Sequence, residues 1–375
     1  MKSKLWMRLA VLMTLATLVV TACGGAATTQ APPTAVPMTN VTLQLQWVTQ
    51  SQFAGYYAAV DKGFYHDEGL NVTIKEGAVE IVPQQVLASG QADFAVSWVP
   101  KALVSREEGA KIVDVGQVFQ RSGTLEVSWK DSNITKPADW AGKKVGTWGF
   151  GNEFELYAAL SQAGIDPADK SAVTIVQQPF DMSLLINKEV DAAEAMTYNE
   201  YAQVLEQKNP ATGQLYKPED LNVVNFNEVG TAMLQDAVWA REDWLQDAKN
   251  QDIAVRFLKA TFKGWIFCRD NFDECVNIVL KNGPTLGKGH MAWQLNEINK
   301  LIWPSPAGIG VMDTKLWDQT ISVATSQKVL KGAPDANAYR SDLAQKAVDA
   351  LKAAGVDVTG SSYTPKTVAV TEGGN

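Results

Sequence analysis

A two-lobed α/β fold is predicted for this chain, and three features of the sequence predict it. Short β-rich runs alternate with amphipathic helical stretches from residue 41 onward, the pattern of helices layered on mostly parallel sheet. A helix, turn, acid, strand phrase occurs twice, as LASGQADFA (87–95) and as LINKEVDAA (185–193), one copy in each half. Finally, the roughly 330 residues that follow the amino-terminal leader exceed one ordinary domain and suit two.

Taken in order, the chain opens with Lys2, Lys4 and Arg8, an apolar run over 9–20, and then Thr21-Ala22-Cys23. A basic start, a short apolar middle and small residues before a cut site make a secretory signal over 1–22, too short for a settled transmembrane helix. Val20-Thr21-Ala22-Cys23 resembles a bacterial lipobox, which implies cleavage before Cys23 and a diacylglycerol on its sulfur. Residues 23–39 are small, polar or proline and read as a flexible tether. The expected location is therefore the extracytoplasmic face of a cell membrane, held by the lipid alone. No later run is long and apolar enough to span a bilayer.

Strands are expected at 42–47, 72–75, 92–96, 111–119, 126–130, 144–148, 173–176, 191–195, 221–225 and 234–240. Helices are expected near 53–67, 80–89, 99–108, 152–163, 181–187 and 198–206. After residue 240 helical periodicity dominates, over 241–281, 288–302, 313–328 and 340–354, so this part is expected to pack back on the first lobe.

The net charge is -8, and loss of the leader removes three further positive charges and no acid. An acidic chain without a basic stripe is a poor nucleic-acid binder. Of three cysteines, Cys23 is the expected anchor, leaving Cys268 and Cys275. On one continuous helix these two would stand about 10 Å apart, too far to bridge, whereas a helix break over 269–273 would bring them within reach. Both arrangements stay open at this point. The two histidines, His66 and His290, lack ligand spacing to the cysteines, so no metal site is expected. No Ser/His/Asp set, Cys/His pair or Glu dyad stands at usable spacing, so no catalytic residues are assigned.

What remains is a set of aromatic and amide residues just past expected strand ends. Residues 46–57, QWVTQSQFAGYY, put Trp47, Gln52 and Tyr56 there, and Trp98 follows the next strand. WGFGNEF (148–154) leaves a strand and opens a helix, with Trp148, Asn152 and Glu153; Tyr198 and Asn199 follow another strand. Its glycines form neither a P-loop, which needs GKS or GKT, nor a GxGxxG fingerprint. In open α/β sheets ligands settle at the carboxyl ends of strands, often in the cleft between two lobes.

Five stretches, QWxxQxQFAGYYxAxDKGFYxDEGLxV, LASGxADFAVSW, FQRSG, GKKVGTWGFGNEFE and DAAEAMTYNEY, together resemble the thiamine-pyrimidine-precursor and riboflavin binding proteins of ABC importers. The resemblance covers about residues 41–280, and GxWxxGNExE with MTYNEY is closer to the riboflavin-binding branch. It implies a type II periplasmic-binding-protein fold with two crossing strands as hinge, near 125–130 and 234–239. Lobe one would then take 40–127 and, as its helical second part, 236–335; lobe two would take 128–235, leaving 336–375 as a carboxyl-terminal helix and tail.

By the same resemblance the protein is a monomer that captures riboflavin and passes it to an ABC permease and its ATPase. Riboflavin would be cargo and not cofactor. Trp47, Tyr56, Trp98, Trp148 and Tyr198 would supply ring faces, and Gln52, Asn152, Glu153 and Asn199 the polar edges. The alternative cargo is a hydroxymethyl- or formylamino-pyrimidine. A sulfonate or nitrate would want more cations than Arg121 near the site. A fungal branch of the family is enzymatic and makes the pyrimidine from its own His and bound pyridoxal phosphate. Its Cys-rich motif and site His are missing from the motifs here, so an enzyme is not expected.

Overall fold

In the computed structural model, which describes residues 38–375, ten strands form two five-stranded sheets. The first sheet holds β1 (Thr39–Gln44), β2 (Leu70–Lys75), β3 (Phe94–Trp98), β4 (Ile112–Gln117) and, from much later in the chain, β10 (Asp236–Arg241). Its order is β2-β1-β3-β10-β4. The second holds β5 (Thr124–Trp129), β6 (Lys144–Thr147), β7 (Thr174–Gln177), β8 (Ala192–Met196) and β9 (Leu221–Asn225), in the order β7-β6-β8-β5-β9. The signal peptide, Cys23 and nearly all of the tether lie outside the described residues.

The two sheets are built alike. In each, four strands run in one direction and a single strand is antiparallel to both its neighbours: β10 between β3 and β4, β5 between β8 and β9. Each of these antiparallel strands is the one that enters after the chain has crossed from the other sheet. The connectors proper are 118–123 and 226–235, just ahead of the expected crossings, because 124–129 and 236–241 are already paired inside a sheet. The central strands are buried on both faces and read accordingly as runs of small or apolar residues, FAVSW in β3 and AAEAM in β8, the latter interrupted by the buried Glu194.

The repeated phrase has one structural job in both halves. Asp93 accepts the backbone N–H of Thr42 on β1 at 2.8 Å, and Asp191 accepts that of Lys144 on β6 at 2.8 Å. The turn before each acid is left-handed, with Gly90 at φ 78° in the first copy and Lys188 at φ 59° in the second.

Helices α1 (Ala54–Asp61), α2 (Phe64–Asp67), α3 (Pro83–Ala88), α4 (Val99–Glu107), α5 (Phe154–Gln162), α6 (Ser183–Ile186), α7 (Glu200–Leu205) and α8 (Phe226–Val229) link the strands. The helical part follows as α9 (Ala248–Asp270), α10 (Phe272–Asn282), α11 (Lys288–Ile302), α12 (Thr314–Ser326) and α13 (Ser341–Ala353). Two long expected helices are each divided. Gly63, at φ 72°, separates α1 from α2, and a non-helical Asn271 separates α9 from α10. That second break brings the Cα atoms of Cys268 and Cys275 to 5.0 Å, and the two are disulfide-bonded. Among the described residues no helix is long and apolar enough to cross a membrane.

α9 lies against α1 and the first sheet and carries its main core. Phe94 of β3 stacks on Phe257 of α9 with centroids 4.1 Å apart, and Trp265 meets Tyr56 edge-on at 5.7 Å. This close crossing depends on missing side chains: a Cβ on Gly264 would stand 2.0 Å from the Gly55 carbonyl oxygen, and one on Gly55 2.2 Å from the Trp265 ring. Overpacking of this kind costs about 1–3 kcal/mol or more. Gly264→Ala is therefore expected to lower the melting temperature by several degrees, read by circular dichroism; an unchanged melt would show that the α1–α9 crossing yields freely.

Candidate functional site

A cavity of about 200 Å³ opens between the carboxyl ends of strands from the two sheets. One wall comes from the first sheet: Gln46, Trp47, Gln50 and Gln52 beyond β1, residues 78–84 ahead of and within the start of α3, and Ser97, Trp98 and Lys101 at β3 and α4. The facing wall comes from the second: Trp148, Phe150 and Asn152 beyond β6, Phe180 beyond β7, and Met196, Tyr198, Asn199 and Glu200 at β8 and α7.

The first wall is organised by Asp236, the opening residue of β10, which is buried. Its Oδ1 accepts N–H groups from Gln46 and, at 2.8 Å, from the Trp98 indole; its Oδ2 accepts from Gln52 at 3.0 Å. Burial raises its pKa to about 7 against the pull of these donors and of Lys101. The amides continue outward. Gln50 donates to Gln52 at 2.7 Å, and Gln294 of α11 donates to Gln50 at 3.1 Å and to Asn199 at 2.9 Å. His290 holds Asn199 from the other side at 2.8 Å and meets Glu206 at 2.7 Å.

The second wall carries the rings and a constrained loop. Phe180 lies parallel to Trp148 at 6.0 Å and tilted against Trp47 at 4.7 Å, so it touches both walls. Gly149, Phe150 and Gly151 are left-handed in succession, at φ 71°, 56° and 85°. For a phenylalanine this conformation costs on the order of 1–3 kcal/mol. The loop is pinned at its base, where the Gly149 carbonyl accepts from the Asn152 backbone N–H at 3.1 Å and from the Asn152 side chain at 2.7 Å. Lys101 reaches over from α4 and donates to Asn152 Oδ1 at 2.7 Å, its ammonium 4.6 Å from the centre of the Trp98 ring. Burial lowers its pKa to about 8, opposed by the charges of Glu194, Glu153 and Asp236.

Seven of the nine expected ligand residues line this cavity: Trp47, Gln52, Trp98, Trp148, Asn152, Tyr198 and Asn199. Two do not. Tyr56 points the other way on α1, into the α9 core beside Trp265, and is 1% exposed. Glu153 turns back on its own loop, accepting the Gly151 N–H at 2.9 Å. Glu155, its neighbour in the motif, is buried and ties the two connectors together, taking the Ser122 hydroxyl at 2.8 Å and the Met233 backbone N–H at 2.7 Å.

Phe180, Lys101, Gln46, Gln50, Phe150, Glu200 and the 78–84 segment were not anticipated as site residues. Phe180 obeys the same strand-end rule, applied to β7. Lys101 sits one turn past Trp98 on α4. The apolar run Val79, Ile81, Val82 in a loop was the available signal for the segment before α3. His290, which has no metal-ligand spacing in the sequence, meets the site through its ring at Asn199.

The family model described as NMT1/THI5-like matches residues 50–275. The chain belongs to this family. The NMT1/THI5-like chain is 27% identical to the riboflavin-binding protein RibY of Chloroflexus aurantiacus over 81% of its own length and 88% of that protein. It is 24% identical to the formylaminopyrimidine-binding protein of Halalkalibacterium halodurans over 65% of its length and 70% of that protein. Other relatives carry the name 4-amino-5-hydroxymethyl-2-methylpyrimidine phosphate synthase. Among solved structures, the periplasmic nitrate-binding protein NrtA of Synechocystis PCC 6803 superposes with a TM-score of 0.59 at 15% identity, over 86% of this chain and 92% of that one. The fold of this NMT1/THI5-like protein is thus the two-lobed periplasmic-binding-protein fold, with the cavity in the cleft.

Several carboxyls are buried in the two sheets and at the cleft. Burial raises Glu200 to about 7, and Asp114 and Glu155 to about 8. Burial also raises Glu126 and Glu194, paired across β5 and β8, well above the usual carboxyl range; the neighbouring Glu194 adds to the rise at Glu126, while bonds from Thr147 and the Trp148 N–H oppose it at Glu194. Each of these groups holds its proton more tightly folded than unfolded. From an ordinary carboxyl value near 4 up to about 8 the folded chain binds more protons, so stability falls as pH rises through that window. The melting temperature is expected to drop by several degrees between pH 5 and pH 8 in calorimetry; a flat or rising profile would contradict the protonated state of this group of acids.

Proposed function

We propose that the protein is a lipid-anchored receptor on the extracytoplasmic face that captures riboflavin between its lobes and hands it to an ABC permease. The observation that carries this reading is the composition of the cleft: Trp47, Trp98, Trp148, Phe180 and Tyr198 together with six side-chain amides, contributed by both sheets. A fused planar heterocycle needs flat faces to stack on and amides to meet the alternating donors and acceptors of its edge. A ribityl chain needs the same neutral polar groups. Each placed ring contributes about 0.5–1.5 kcal/mol beyond burial, and micromolar affinity needs roughly 8 kcal/mol net, which two or three rings with a few hydrogen bonds supply. The likeness to RibY over most of the chain supports the same cargo.

Binding in place of catalysis is supported by what the cavity's polar groups are engaged in. Asp236 is taken up by three donors, Glu200 by the Met196 N–H and the Asn199 amide, and Lys101 by Asn152. The anchor rests on the sequence at Cys23 and on the lipobox before it.

The formylaminopyrimidine-binding relative supports a second reading, a single-ring thiamine pyrimidine in the same cleft. The buried amides around Asp236 would suffice for its edge, leaving the outer aromatics idle.

Titration of the purified protein with riboflavin is expected to quench flavin fluorescence saturably at micromolar concentration or below. Trp148→Ala is expected to raise Kd about tenfold or more by removing one ring face. Absence of quenching alongside saturable binding of a hydroxymethylpyrimidine would replace the first reading with the second.

A further inference from the structure

We propose that Phe150 is the residue that makes this cleft select a long fused-ring ligand over a single ring, an inference that rests on the flavin reading above. Among the described residues seven large hydrophobic side chains are exposed, and three of them, Val79, Val82 and Phe150, line this one cavity. Phe150 is the most exposed of all, at 71%. Val79 and Val82 belong to the first-sheet wall and Phe150 to the second, so the apolar side chains stand on opposite sides of the mouth. The buried Gln52, Trp98 and Tyr198 mark the deep end, with Asp236 behind Gln52 and Trp98.

A ring placed in water at a strained backbone position is disfavoured twice in the free protein, once by conformation and once by exposure. The structure around it is built to keep it there. Gly149 and Gly151 share its left-handed turn, Asn152 closes the loop beneath it, and Lys101 from the facing lobe fastens Asn152. A Cβ on Gly151 would stand 3.1 Å from the Lys101 side chain, so the loop and α4 approach closely at this point.

The occupant that turns this exposure into contact is a ligand extending from the deep end to the mouth. On this proposal a single pyrimidine ring sits at the buried Gln52, Trp98 and Tyr198 and leaves the exposed Phe150 uncovered. A tricyclic ring with a polyol chain reaches the mouth and is covered there by Phe150 against Val79 and Val82. Phe150 then reads ligand length and slows escape, while the deep end reads the ring edge.

Phe150→Gly removes the ring and keeps the turn, because glycine adopts positive φ without penalty. Its melting temperature is expected to equal or exceed that of the wild type, so loss of fold does not confuse the result. Stopped-flow release of riboflavin is expected to be about tenfold faster, equivalent to about 1.4 kcal/mol, with little change in association rate. Affinity for 4-amino-5-hydroxymethyl-2-methylpyrimidine, measured by calorimetry, is expected to stay within about twofold, a change worth far less than 1.4 kcal/mol. Phe150→Tyr is expected to keep the slow release. If the wild type binds riboflavin and Phe150→Gly releases it at the same rate, or loses both ligands equally, the role of Phe150 is overturned and the flavin reading stands. If the wild type does not bind riboflavin, both are overturned together.

Discussion

One buried carboxylate, Asp236, determines the shape of the first wall of the cleft. It opens the strand that returns from the second sheet, and it gathers Gln46, Gln52 and Trp98, which leave three different places in the first. A buried carboxylate is tolerated only where donors surround it, so the demand for hydrogen bonds fixes these side chains before any ligand arrives. The N–H groups of Gln294, Gln50 and Gln52 point in succession toward Asp236. Aligned amides polarise one another in that direction, which ties the carboxylate to Asn199 on the opposite wall and, beyond it, to His290 and Glu206.

Much of this architecture could be read in the sequence, and the exceptions have physical causes. All ten strands lie where alternation and β-rich runs predict, with ends displaced by up to three residues. The largest displacement is in β1, which stops at Gln44 because Gln46 and Trp47 leave the ladder to enter the cavity. Strand-end position identified Trp98, Trp148 and Tyr198, since a residue just past a parallel strand has little choice of direction. The same logic failed for Tyr56, which lies inside α1, where rotation about the helix axis decides between cleft and core and α9 supplies the core. It failed for Glu153 because a carboxylate beside a free loop N–H satisfies itself locally. Residues such as Lys101 and His290 gain their meaning only from a partner distant in the chain, Asn152 in one case and Asn199 and Glu206 in the other. No local pattern reports such a pairing.

The interior is costly for a fold of this kind. Several carboxyls are buried with raised pKa values, and two of them, Glu126 and Glu194, face each other across adjacent strands. Core positions filled this way give up apolar contact and gain hydrogen bonds of restricted geometry. The compensation is found where the helical part meets the first sheet, with Phe257 and Trp265 of α9 packing an aromatic core against Phe94 of β3.

The two connectors between the lobes are also not independent. Glu155 holds the Ser122 hydroxyl of one and the Met233 N–H of the other, while Gln235 accepts the Gly123 N–H across the same gap at 2.8 Å. Two links joined crosswise at their far ends, where each enters its next strand, behave as a single flat ribbon. Such a ribbon bends readily about the axis across its width and resists twist and sideways shear. A link of that shape holds the two walls in one register, the register in which Phe180 lies against both Trp47 and Trp148.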